Sequence, residues 1–127
     1  MMTKNLLSIL PYANNPSFDA IYKKLGLKVT AANTLRKALS LVKKISPDIV
    51  VAEFIYAPTY GSQLSNFESL FAAAQSYANH AHFIALTHPD DLQHIKKIAP
   101  QYNHCVILTL PVTAEQLEKP LRLILQK

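Results

Sequence analysis

Glycine is nearly missing from this chain of 127 residues, which holds only Gly26 and Gly61. A Gly-x-Gly-x-x-Gly turn and a P-loop both need several glycines to let the backbone wrap a phosphate, so neither nucleotide-binding device can be built. The single cysteine, Cys105, permits no intrachain disulfide, and it lies in a strand-like apolar run where a thiol is expected to be buried and inert. No serine stands in a Gly-x-Ser-x-Gly elbow. No apolar run approaches the roughly 20 residues that span a bilayer. The opening stretch, with Lys4 and the short run Leu6 to Leu10, is also too brief for a signal peptide. A cytoplasmic protein without a membrane partner is expected. Five histidines are present, but no two have the i, i+4 spacing that sets two imidazoles on one helical face, so no metal and no cofactor is expected.

What is present is a folding pattern. Apolar residues make up 50% of the chain and charged ones 17%, a balance that supports one packed domain over residues 1–127. Asn5 to Leu10, Leu27 to Ala31, Ile49 to Ile55, His82 to Leu86 and Cys105 to Leu110 read as strands. The third is an almost unbroken apolar run, as expected of a strand covered on both faces. Between them fall helical periodicities. The first runs from Pro16, after an Asn15 cap, to about Leu25, where Gly26 stops it. The second is capped by Asn33 and ended by Ser46 and Pro47, and the third is opened by a Ser65/Glu68 capping box. The fourth starts at Pro89, and the fifth is opened by a Thr113/Gln116 capping box and carries Pro120 in its interior, where a kink is expected. Strand and helix alternating five times with short loops predict a doubly wound parallel sheet, an α/β sandwich of three layers. In that architecture ligands bind beyond the carboxyl ends of the strands.

The order of elements, with Pro47-Asp48 entering the third strand, Glu53 near its end, Leu86-Thr87 closing the fourth and Leu110-Pro111 closing the fifth, resembles the response-regulator receiver (CheY-like) family over almost the whole chain. The resemblance implies a flavodoxin-like fold. It also implies a phosphorylation pocket made of paired acids after strand one, an acceptor Asp ending strand three, a Thr or Ser ending strand four and a Lys before the strand-five proline. Magnesium and the lysine would neutralise charge on the phosphoryl oxygens. Here the turn after strand one reads Leu10-Pro11-Tyr12-Ala13-Asn14-Asn15, and the first carboxylate of the chain is Asp19. Glu53 stands at the acceptor position, Thr87 is kept, Leu110 replaces the lysine, and Ile107 replaces the aromatic residue that reports phosphorylation. The residues therefore describe a degenerate pseudo-receiver: no enzyme, with Glu53, Thr87, Leu110 and Pro111 as a vestigial pocket. Glu53 either imitates a phosphorylated Asp or is a solvated carboxylate. Thr87 either donates to Glu53 or turns the chain. The Leu110-Pro111 bond is expected to be cis, as it commonly is in the family.

Two functions follow from different features. The resemblance implies a signalling module that docks a protein partner, or a second copy of itself, through the face of helix four, strand five and helix five. The alternative rests on charge, since residues 1–53 hold eight Lys or Arg against three acids. Lys23, Lys24, Lys43 and Lys44, joined by Lys28 and by the pair Lys96 and Lys97, fall at helix ends that a doubly wound sheet gathers opposite the vestigial pocket. Such a rim either complements helix dipoles or binds nucleic acid or another polyanion. Aromatic residues are not expected within it.

Overall fold

The computed structural model describes residues 4–9, 16–56, 65–102 and 104–126. Among these residues five strands, β1 (Asn5–Ile9), β2 (Lys28–Ala32), β3 (Ile49–Glu53), β4 (His82–Thr87) and β5 (Cys105–Thr109), alternate with five helices. The helices are α1 (Pro16–Lys24), α2 (Leu35–Ile45), α3 (Phe67–Tyr77), α4 (Leu92–Ile98) and α5 (Ala114–Leu125). All strand pairs are parallel in the order β2-β1-β3-β4-β5, the arrangement of a flavodoxin-like, doubly wound sheet.

Alternation along the central strands divides the core in two. Leu7, Val50, Ala52, Phe83 and Ala85 face the layer of α2, α3 and α4, and Leu6, Ile49, Val51, Ile84 and Leu86 face α1 and α5. Ile49 to Ala52 are fully buried, as the unbroken apolar run of the third strand predicts. An aromatic cluster fills the first layer: the Phe67 ring lies 5.6 Å from Phe54, 5.4 Å from Phe71 and 6.0 Å from Phe83. Tyr102 stacks on Phe71 at 5.0 Å, and its hydroxyl donates to the Ala81 carbonyl at 2.9 Å.

Several helix ends differ from their sequence reading. α2 is capped by Thr34 instead of Asn33, with Thr34 Oγ1 accepting from the Lys37 amide at 3.1 Å. The Ser65/Glu68 box does not form. Asn66 is the cap residue of α3, while Ser65 Oγ accepts from the Phe67 amide and hydrogen-bonds the Glu68 carboxylate. The Asn66 side chain caps no helix amide and reaches back to the end of β3 instead. The Thr113/Gln116 box is present, and α5 passes through Pro120, which is buried, without a break. α4 is preceded by a 3-10 turn at Pro89–Asp91, and β3 stops at Glu53 instead of reaching Ile55. Gly26 adopts φ 73° at the end of α1, where the left-handed conformation lets the Leu27 amide reach the Tyr22 carbonyl at 3.0 Å. The Asn15 cap falls outside the described residues.

Tyr22 is 1% exposed, and its hydroxyl has no hydrogen-bond partner among the described residues. Burial, and secondly the Asp19 charge, push its phenol up. An unpaired buried hydroxyl is a cost that a phenyl ring avoids. Tyr22→Phe is therefore expected to raise the unfolding free energy by about 1 kcal/mol, read from urea midpoints at constant m. A destabilised variant would show that the hydroxyl has a partner.

Candidate functional site

The carboxyl edge of the sheet assembles the four residues singled out in the sequence. Glu53 ends β3 opposite Leu86, Thr87 ends β4, and the Leu110 amide continues the β4–β5 ladder by donating to the Thr87 carbonyl at 2.8 Å. The Leu110-Pro111 bond is cis, as expected. Their side chains do not form one polar pocket. Thr87 is fully buried and its hydroxyl donates to the His88 carbonyl at 3.3 Å, not to Glu53. Leu110 packs against the α1/α5 half of the core, so its side chain contributes no positive charge. Ile107 packs against the opposite half, among α4-side residues.

Glu53 does meet a potential cation, and the sequence reading missed it. His88 Nε2 lies 3.4 Å from Glu53 Oε2, and the Glu53 side chain is 13% exposed. The signal available in the sequence was position: His88 directly follows Thr87, one step beyond the end of β4, and so emerges beside the neighbouring strand's last residue. The backbone of Glu53 is held as well. Asn66 Nδ2 donates to the Glu53 carbonyl at 2.9 Å, and Asn66 Oδ1 accepts from the Ile55 amide at 2.9 Å. An antiparallel bridge between Tyr56 and Ser65 closes the segment beyond.

The turn after β1, residues 10–15, lies outside the described residues, as does most of the predicted Tyr56 to Gln63 loop. No group of three His, Cys, Asp or Glu is placed to hold a metal among the described residues. Next to Glu53, a cleft of about 230 Å³ is lined by Phe54, Tyr56, Ser65, Glu68, His94 and Lys97, with the Tyr56 and His94 rings stacked at 3.8 Å. Lys97 thus belongs to this side of the molecule and not to the basic rim, because α4 is short and the chain continues through a second 3-10 turn, Ala99–Gln101, before reaching β5.

A larger groove, about 560 Å³, runs between edge strand β5 and α5. Val106, Leu108, Pro120, Leu123 and Ile124 give it an apolar lining, and His82 and His104 close one end with their rings 4.5 Å apart. No α4 residue lines it. Val106 is 39% and Leu123 57% exposed, so both are available to a partner. Cys105 is the first residue of β5 and half-buried instead of buried, yet burial still pushes its thiol up to about 12.

The same fold is found in receiver domains of solved structure. The chain superposes on a two-component transcriptional regulator AraC from Clostridium phytofermentans ISDg with TM-score 0.78 at 14% identity, covering 98% of this chain and 94% of that one. The signal receiver domain of a putative Luxo repressor protein from Vibrio parahaemolyticus gives 0.75 at 14%, covering 98% and 92%. The chemotaxis response regulator CheY4 of Vibrio cholerae gives 0.73 at 18%, covering 97% and 99%. No protein-family profile matches the sequence, and no curated protein matches it. The shared property is the fold.

Proposed function

We propose that this chain is a signalling module of receiver type that works without phosphorylation, by docking a protein on the β5–α5 face. The observation that carries the reading is the occupation of the Glu53 carboxylate by His88 while Leu110, at the position of the family's lysine, is turned into the core. A transferring phosphoryl group spreads negative charge over its oxygens and needs fixed positive charge to meet it. Among the described residues the cationic group paired with Glu53 is the His88 imidazole, with Lys97 lining the separate cleft beside Phe54, and the sequence holds no acid before Asp19 to bind magnesium. Glu53 on this reading is a paired structural carboxylate, not an imitation of phosphate. The pocket therefore carries no catalytic chemistry.

Docking is supported by the groove. The exposed Leu123 and Val106 line the same concavity as Leu108, so the apolar groups a partner would meet lie on one surface. That is what a two-fold, self-complementary interface requires, and a second copy of the chain is the occupant we assign.

Acetyl phosphate with magnesium should leave the intact mass unchanged, and Glu53→Gln should self-associate as the native chain does. An 80 Da adduct, the mass of one phosphoryl group added for a proton, would overturn phosphorylation independence. A weakened Glu53→Gln dimer would restore Glu53 to an active role.

A further inference from the structure

At the opposite edge of the sheet, where the strands begin and the helices end, positive charge gathers around an aromatic ring. Lys23 lies in the last turn of α1, Lys28 opens β2 beside Lys4, and Lys43 and Lys44 lie in the last turn of α2. Tyr77, the last residue of α3, joins them because Ser46 Oγ donates to its carbonyl at 2.9 Å. Its ring is 49% exposed, and Lys43 Nζ sits 5.5 Å from the ring centroid. The sequence reading expected no aromatic residue in this rim, because Tyr77 is distant in the chain from every lysine pair.

The acids on this edge are already engaged. Asp48 accepts from the Asn5 amide at 2.9 Å through Oδ2 and lies 3.3 Å from His80 Nε2 through Oδ1. Glu118, nearer the middle of α5, is paired with Arg122 and with Lys24, whose Nζ is 3.4 Å away. The hydrogen bond from Arg122 is the main reason its carboxyl lies below the usual glutamate range. Lys24 is therefore withdrawn from the rim. The remaining acids at helix starts and strand ends, Asp19, Glu53, Glu68, Asp90, Asp91 and Glu115, lie at the far edge. Helix dipoles account for lysines in last turns. They do not account for Lys4 and Lys28, which belong to no helix end, nor for a half-exposed tyrosine flanked by a cation.

We propose that this edge binds single-stranded nucleic acid, with phosphates along Lys4, Lys28, Lys43 and Lys44 and a base stacked on the free face of Tyr77. A cation against one face of a ring and a base against the other is an arrangement that serves bases of any identity. An acidic protein would satisfy the lysines but gain nothing from the ring, and a duplex hides its base faces. The surface lies across the sheet from the vestigial pocket and away from the β5–α5 groove, so it functions independently of the docking reading.

Fluorescence anisotropy with a labelled mixed-sequence 12-mer tests this. Binding is expected to weaken linearly in log salt, with a slope near −0.7 for each phosphate contacted. Lys43→Glu with Lys44→Glu should reduce both affinity and slope. Tyr77→Ala should weaken single-strand binding about tenfold, Tyr77→Phe should keep it, and Arg36→Glu with Lys37→Glu, at the far edge, should leave it close to native. Absence of binding at low salt overturns the proposal. So does a Tyr77→Ala variant, folded by circular dichroism, that binds the strand as tightly as the native chain. Equal affinity of the native chain for polyglutamate or a duplex of the same length also overturns it, by marking an unselective polyanion surface.

Discussion

Phe67→Ala should lower the unfolding free energy by about 3–5 kcal/mol, the largest effect expected of any single substitution considered. The ring is fully buried and contacts three others, Phe54, Phe71 and Phe83, so truncation removes both transfer energy and the edge-on ring contacts while leaving a cavity. A domain of this size has roughly 5–15 kcal/mol in total, so the variant should unfold at markedly lower urea. Phe67→Leu, which keeps most of the volume, should lose less. The consequence reaches the pocket, because Phe67 opens α3 directly after Asn66, whose side chain fixes Glu53 and Ile55. A loss below about 1 kcal/mol would show that the layer between the sheet and α3 can collapse around the gap.

The second large effect concerns docking. Val106→Asp with Leu123→Asp places two charges in the β5–α5 groove, and self-association followed by sedimentation equilibrium should weaken at least 100-fold, or about 2.7 kcal/mol. Both residues are exposed in the single chain, so the fold should be unaffected. Val29→Asp supplies the control, since Val29 is also 39% exposed but sits on β2, the other edge of the sheet. A groove variant that dimerises like the native chain, or a Val29→Asp chain that fails equally, would remove the β5–α5 face from the reading.

The architecture was legible because each element carries its own local signal. The two-sided burial of Ile49 to Ala52, the stop at Gly26 and the box at Thr113 could be read from a few neighbouring residues, whereas the cis bond before Pro111 followed from the resemblance to the receiver family. Contacts between elements were less legible. The Glu53–His88 pair joins two strand ends whose side-chain directions depend on register, and the Ser46–Tyr77 bond that brings an aromatic ring into the basic rim joins α2 to α3. Caps failed where two candidates stood side by side, as at Asn33 and Thr34 or Ser65 and Asn66, because propensity barely separates such neighbours and packing chooses. Lys97 was misplaced for a metric reason: α4 has only seven residues before a 3-10 turn takes over, and Lys97 lines the cleft with Phe54 and Tyr56.

Asn66 hydrogen-bonds across the point where the chain leaves β3 and rejoins at α3, and the Tyr56–Ser65 bridge clamps the same two ends. The two ends of that connection are thus held to each other by their own contacts. A reporter peptide or a recognition tag grafted between them would enter and leave through ends already fastened, which makes this junction the natural handle for following the molecule in a cell.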